Sequence, residues 1–207
     1  MSVDPNQSFR KRYNDLRLVD QASRDFTNRD YWFEQIGKLL QEKDKSHRYA
    51  LNLVHRHFEL RDEERMVATD CTTKPEPVLN TVKPDVHPSS WSSDKWEYEW
   101  QRGAKLEPLP LVDDDLFSAF EKLFGQDEKI GEVLGLALRP TELDGDNLWW
   151  EVADNNNREL TISPKKRPER TDENTFETCW IPKTVGEVVD GMKVVMECCG
   201  VCTWGNH

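Results

Sequence analysis

The chain has 207 residues, of which 36% are hydrophobic and 32% are charged, and its formal net charge at pH 7 is −11. The acidic balance opposes binding to a phosphate backbone, because neutralising phosphates requires a surplus of Lys and Arg on one face, so we expect no nucleic-acid partner. A packed core is still expected, because 8 Trp and 8 Phe bury large apolar areas.

The first twelve residues are basic but no apolar stretch follows them, so we expect no secretory signal and, with no long apolar run elsewhere, no membrane association. Five cysteines, an odd number, are then expected as free thiols or metal ligands in a reducing compartment. The sequence predicts a soluble cytoplasmic protein. The basic stretch over 164–170 is typical of a nuclear-localisation patch or of an exposed loop, so a nuclear location is the alternative.

No Pro/Gly/Ser-rich linker divides the chain near its middle. We therefore predict a single domain over residues 1–207, with a helical N-terminal segment over 8–43 and a β-rich remainder. Within that segment, apolar residues at helical spacing predict a weakly amphipathic helix over 8–20 and a strongly amphipathic one over 28–43.

From Leu51 the apolar period changes to two, which predicts a strand over 51–60 that carries Leu51, Leu53, His55, His57 and Glu59 on one face. An acidic turn and a return strand over 64–70 would complete a hairpin. The stretch from Cys71 to Ser93 holds four prolines and is expected to be irregular.

Aromatic and charged residues alternate strictly over 95–100, which predicts a strand with Trp96, Tyr98 and Trp100 on one face. Glu97 and Glu99 should then be solvated on the other face. Three aspartates followed by an amphipathic pattern and a glycine predict a helix over 113–125.

Further strands are predicted over 133–138, 148–152, 159–162, 175–181 and 192–197. Together the elements predict an α+β fold, a largely antiparallel β-sheet of about six to eight strands with two or three helices on one side or end.

The two histidines one residue apart are candidate metal ligands. On a strand, alternation points His55 and His57 to the same side, about 6 to 7 Å apart along the chain, so two imidazoles can converge on one ion. Glu59 shares that face, and two histidines with a carboxylate are typical of non-haem iron and open zinc sites. The alternative is that the histidines are ordinary polar residues on a half-exposed sheet.

The C-terminal run adds thiol and imidazole donors. Cys199 and Cys202 have the two-residue spacer of a chelating pair, and His207 follows the second thiol. A second cysteine pair at such spacing is absent, so His55, His57 or Cys71 would have to complete the site. A thioredoxin-like role is disfavoured, because no helix follows the first cysteine.

The His-Arg-His-Phe segment within 53–60, the acidic turn after it, residues 88–91 and the Cys/His-bearing C-terminus resemble an uncharacterised set of filamentous-fungal proteins of similar length. This resemblance covers about a third of the chain. It implies a fungal provenance and no activity.

The leading hypothesis is a soluble intracellular protein with a zinc site formed by some of His55, His57, Cys199, Cys202 and His207. Were it an enzyme, which the sequence leaves open, Glu59 would be a further ligand or general base. The alternative is a non-enzymatic interaction or small-ligand-binding module, in which aromatic faces bind the partner and the His and Cys residues are structural. The sequence identifies neither a partner nor an oligomeric state.

Overall fold

The computed structural model describes residues 5–80, 83–103, 114–141, 143–167, 174–188 and 191–203. The first predicted helix is two helices in the structure, while those over 28–43 and 113–125 are confirmed. None of the helices in these ranges is long and apolar enough to cross a membrane. The helices are α1 (Pro5–Asn14), α2 (Val19–Asp25), α3 (Arg29–Glu42), α4 (Asp114–Phe124) and α5 (Glu128–Gly131), and a 3₁₀ turn covers Val78–Asn80.

Strands make up most of the remaining described chain. They are β1 (Tyr49–Leu53), β2 (Glu64–Thr69), β3 (Thr72–Pro77), β4 (Val86–Ser92), β5 (Glu97–Arg102), β6 (Leu134–Leu138), β7 (Asn147–Asp154), β8 (Glu159–Lys166), β9 (Thr175–Val188) and β10 (Gly191–Thr203).

The strands form a closed barrel in the order β1-β6-β4-β5-β2-β3-β8-β7-β10-β9. Two neighbouring pairs are parallel, β2 with β5 and β7 with β10, and the others are antiparallel. Leu51 and Asn52 of β1 pair with Trp180 and Cys179 of β9, which closes the ring. The predicted α+β fold with an open sheet is therefore wrong: the sheet curls until its two edge strands pair with each other.

Two apolar clusters hold the barrel and its helices together. Helices α2 and α3 pack outside the barrel against β9, and α3 also packs against β10. The larger cluster joins these helices and α4 to the outer faces of β1 and β6 through Ile36, Leu51, Phe117 and Leu136. The second cluster joins Tyr13 of α1 to β2, β5, β8 and the segment after β1, and so fills one end of the barrel.

The predicted hairpin after the histidine pair is wrong. Strand β1 ends at Leu53, and β2 pairs with β3 and β5 rather than with β1. The stretch over 71–93 also differs from the prediction, because it contains the whole of β3 and β4. The prolines of these strands lie where the strand has only one neighbour. Strand β3 pairs with β8 only at Thr72 and Thr73, before Pro75. Strand β4 pairs with β6 only from Ser90 onward, after Pro88.

The strand predicted over 192–197 is part of β10, which is integral to the barrel because it pairs with both β7 and β9. Part of the basic patch over 164–170 lies outside the described residues.

Gly135 gives a test of the closed arrangement. It sits on β6 between Asn52 and Ser92, and a Cβ there would collide with the backbone oxygen of Trp91 and come within 2.8 Å of Val54 Cγ2. We expect Gly135→Ala to lower the free energy of unfolding by at least about 2 kcal/mol, because a backbone carbonyl cannot rotate away as a side chain can. Gly103→Ala meets no atom within 4 Å and should change it by less than about 0.5 kcal/mol. Equal urea midpoints for the two variants would contradict the β4–β6 packing.

Candidate metal centre

The segment after β1 aims both histidines into the barrel. Arg56 forms an isolated parallel bridge with Leu18, its backbone N–H donates to the Arg17 carbonyl at 2.9 Å, and its Nε donates to the Leu16 carbonyl at 3.0 Å. These contacts fix Arg56 against the connection between α1 and α2. Its two histidine neighbours consequently point away from that connection, and both are buried.

Two neighbouring strands bring a thiol and a carboxylate to the same place. Cys202 of β10 is the register partner of Glu151 of β7, and partners of this kind place their side chains on the same face. Within the described residues, His55, His57 and Cys202 form a group of metal-binding side chains whose ligand atoms all lie within 4.8 Å of one another. Zinc bonds of about 2.0 to 2.3 Å put tetrahedral ligand atoms about 3.3 to 3.8 Å apart, so small adjustments would suffice.

The ring of His57 lies between the thiol and the carboxylate. Its Nδ1 is 4.0 Å from Cys202 Sγ and its Nε2 is 3.8 Å from Glu151 Oε2. His55 Nε2 is 3.9 Å from the same Glu151 oxygen, and the two imidazole centroids are 4.6 Å apart. Two imidazoles, a thiol and a carboxylate therefore lie close together around the His57 ring.

His55 has one nitrogen committed and one unused. Its Nδ1 lies 2.7 Å from the Leu53 carbonyl oxygen, which can only accept, so Nδ1 carries the proton and Nε2 presents a lone pair. His55 Nε2 and Glu151 Oε2 are both buried without a hydrogen-bond partner. Fixing one ring nitrogen through a backbone carbonyl is how proteins orient a histidine whose other nitrogen binds a metal.

Burial keeps these groups uncharged. It lowers the pKa of His55 to about 4, and burial followed by repulsion from His55 lowers the pKa of His57 well below its ordinary value. Burial, then the nearby charge of Glu99, raises the pKa of Glu151 to about 8, and burial with the Glu151 charge raises the pKa of the Cys202 thiol. A metal ion would reverse this balance, because its charge favours the deprotonated thiol and carboxylate.

Three of these groups, His55, His57 and Glu151, line a cavity of about 380 Å³ in the barrel lumen, and Cys202 is buried next to His57. Its lining includes Asn52, Tyr98, Glu99, Trp100 and Trp149. Asn52 Nδ2 donates to Tyr98 Oη at 2.6 Å, and Ser90 Oγ donates to a Glu99 carboxylate oxygen at 3.2 Å. Burial raises the pKa of Glu99 to about 7.

The expectation that Glu99 is solvated is wrong because of a β-bulge. Glu97 pairs with Trp91 and Glu99 pairs with Ser90, which leaves Tyr98 as an extra residue on β5. A bulge interrupts the alternation of side chains and re-aims them, so Tyr98 and Glu99 both line the lumen.

Two of the other predicted site residues, Cys199 and Glu59, lie away from this group. Cys199 is three residues from Cys202 along an extended strand, a span of about 10 Å that prevents the two thiols from chelating one ion as a turn would allow. Glu59 is exposed, with 73% of its side-chain surface accessible, and its carboxylate lies 3.6 Å from Arg56 Nη1. His207 lies outside the described residues.

Glu151 and Glu99 are two carboxyl groups of the lumen lining that sequence reasoning missed. Each stands among tryptophans in a strand, so an acidic residue facing the interior could have been suspected only with the strand register known. A larger groove of about 700 Å³ runs beside α1 and α4, but its arginines are already ion-paired, Arg12 with Asp94 and Arg17 with Glu132. The lumen is therefore the better candidate site.

No protein-family model, no curated protein and no solved structure matches this chain. The resemblance to filamentous-fungal proteins stays a prediction.

The raised pKa of Glu151 predicts a pH dependence of stability in the metal-free protein. Between its ordinary value of 4.5 and about 8, the folded protein holds a proton that the unfolded chain has released, so the free energy of unfolding should fall as pH rises through that window. The full effect is about 3 to 5 kcal/mol by the linkage relation.

Glu151→Gln should remove the part of that decline that Glu151 causes, since the amide stays neutral, whereas Glu99, whose pKa is raised to about 7, keeps its own part in both proteins. The lowered pKa values of His55 and His57 act in the opposite direction below pH 6.5, but they are common to both proteins and cancel in the difference. Urea unfolding of both proteins at several pH values across the window, with chelator present, measures the difference in their free energies of unfolding. Parallel stability curves would show that Glu151 is not buried as a neutral acid.

Proposed function

We propose that this protein binds a transition-metal ion inside its barrel through His55, His57 and Cys202, with the carboxylate of Glu151 next to the ion. Zinc is the ion that this donor set fits best, because borderline-soft Zn²⁺ accepts imidazole nitrogen, thiolate sulfur and carboxylate oxygen in tetrahedral sites.

The observation that carries the proposal is the pair of unpartnered buried atoms, His55 Nε2 and Glu151 Oε2, that face each other at 3.9 Å. That separation is too long for a hydrogen bond, and leaving a buried polar atom unpaired costs about 1 to 3 kcal/mol. Both atoms are acceptors when deprotonated. A cation between them satisfies both at once, and a core that needed only stability would be better filled by apolar side chains.

A small molecule in the lumen could reach an ion bound at this site. His55, His57 and Glu151 line the lumen cavity, so an ion held by the histidines has a side that faces open volume rather than packed side chains. Catalytic zinc sites keep such an open position, whereas structural ones are closed by four protein ligands. Glu99 is a carboxyl within the same lumen, and we propose that it takes the role of base first expected of Glu59.

We expect zinc to bind with a stoichiometry of one ion per chain and to raise the melting temperature of the untagged, chelator-treated protein. The double variant His55→Ala with His57→Ala should weaken binding by at least about 100-fold, since it removes both nitrogen ligands. Isothermal titration calorimetry with ZnCl₂ measures the stoichiometry and the affinity, and thermal unfolding with and without zinc measures the melting temperature. His47→Ala is the matched control, because His47 is exposed and does not line the lumen cavity.

Wild-type protein that binds less than about a tenth of an equivalent, or a double variant that binds like wild type, would refute the metal centre. Circular dichroism of the apo double variant separates loss of binding from loss of fold.

Cobalt substitution distinguishes the two thiols that the sequence proposed as ligands. We expect Co²⁺ to give a near-ultraviolet thiolate-to-cobalt band that disappears in Cys202→Ser and persists in Cys199→Ser, because Cys202 alone of the two lies in the group around His57. Loss of the band in Cys199→Ser with its retention in Cys202→Ser would overturn the assignment.

The second candidate function is binding of a small organic ligand in the lumen without a metal, and the cavity of about 380 Å³ favours it. That volume lies in the range of small-molecule sites, and aromatic walls with a few polar groups are typical of them. Here the unpartnered nitrogen of His55 and the carboxyl of Glu151 would hydrogen-bond the ligand.

Native mass spectrometry of protein purified without chelator separates the candidates. A metal centre adds the mass of one metal ion, and a ligand-binding lumen adds an organic mass that chelator does not remove. Ala137→Phe projects a ring into the cavity and should abolish the organic adduct while sparing the ion. An organic adduct that survives Ala137→Phe would not occupy the lumen.

A further inference from the structure

Two cysteines outside the metal-binding group lie in contact. Cys179 of β9 and Cys199 of β10 have their sulfur atoms 3.1 Å apart, with the Cys199 thiol donating to Cys179. Both are half-buried free thiols. A disulfide would require the sulfurs to approach by about 1 Å, which side-chain rotation supplies without moving either strand far.

The strand pairing builds this contact. Cys198 pairs with Trp180 and Gly200 pairs with Cys179, so Cys199 is the extra residue of a β-bulge on β10. A bulge re-aims its side chains, and here it turns the Cys199 thiol toward β9. Gly200 permits the close approach, because a Cβ at that position would lie 2.9 Å from Cys179 Cβ.

Small molecules can reach the pair. Both cysteines border the lumen cavity, and Cys199 also borders a second cavity of about 260 Å³ at the surface of β7, β9 and β10. Cys198, its neighbour in sequence, also borders the second cavity, but it is buried in the apolar cluster beneath the helices and does not line the lumen. Cys199 is therefore positioned to meet a dissolved oxidant first and Cys179 to follow.

We propose that Cys179 and Cys199 form a reversible disulfide by exchange with a low-molecular-weight disulfide. The Cys199 thiolate attacks one sulfur of that disulfide, which breaks its S–S bond, releases one small thiolate and leaves a mixed disulfide on Cys199. The Cys179 sulfur, deprotonated, then attacks Cys199 Sγ and expels the second small thiolate. Two protein S–H bonds are lost, one S–S bond forms, and the two electrons reduce the small disulfide to two thiols.

The site is independent of the proposed metal function, because it uses neither histidine nor Cys202. The pKa of Cys179 is raised by its contact with Cys199 and by burial, which agrees with Cys199 attacking first. Cys71 is exposed and lies on another part of the barrel, so it provides a matched control.

The test is incubation of the full chain with oxidised glutathione, followed by alkylation under denaturing conditions and peptide mapping. We expect the number of alkylatable cysteines to fall by two from five, with one cross-linked peptide that joins Cys179 to Cys199, and dithiothreitol to restore all five. Cys71→Ser and Cys198→Ser should keep the cross-link. Cys179→Ser should lose it and hold glutathione on Cys199, trapped at the first step.

Three results would overturn the proposal. One is a wild-type protein that carries only glutathione adducts or resists oxidation, and another is a cross-link that joins any other pair. The third is a cross-link that survives Cys179→Ser. The wild-type map decides the linkage without any variant, so a variant that fails to fold does not leave the question open.

Discussion

The pairing of β1 with β9 is the constraint on which the site depends. Leu51 and Asn52 meet Trp180 and Cys179 across a large separation in sequence, and this contact turns a sheet with two edges into a barrel with a lumen. Closure also sets the course of the segment that leaves β1. That segment carries the histidine pair toward β10 and β7, where the thiol and carboxylate partners lie.

The lumen is polar where a core built for stability would be apolar. His55 and Glu151 are held neutral by burial, and each leaves one atom without a partner, while Glu99 approaches close enough to raise the pKa of Glu151 further. Such groups destabilise the folded state, and the apolar clusters around them have to offset that cost. An arrangement of this kind is expected where a site must keep its ligating atoms available.

Local pattern was sufficient for some elements and not for the topology. Helices α3 and α4 could be predicted closely, because a strong apolar stripe settles a helix without distant partners. The histidine pair could be identified as a candidate for the same local reason. Closure of the barrel could not be predicted, because no feature of the sequence around Leu51 or Trp180 indicates that these two segments pair.

The errors in strand prediction have physical causes at particular residues. Pro75 and Pro88 suggested irregular chain, yet each occupies a strand position with one neighbour, where the missing N–H costs no ladder bond on the unpaired side. Alternation failed at Tyr98 and Glu99 because of a bulge, which leaves no mark in an otherwise regular pattern. Glu151 was overlooked because its role depends on facing Cys202, a fact of register between distant strands.

Strand β10 contributes one cysteine to each proposed site, and the bulge at Cys199 makes this possible. Cys199 and Cys202 are an odd number of residues apart, so strict alternation would send their side chains to opposite faces of the barrel. The extra residue at Cys199 breaks that alternation, so that the Cys199 thiol lies beside Cys179 in the lumen lining and the buried Cys202 thiol lies beside His57. A spacing that first suggests a single chelating pair thus supplies two separate thiol sites, because the chain between them is extended rather than turned.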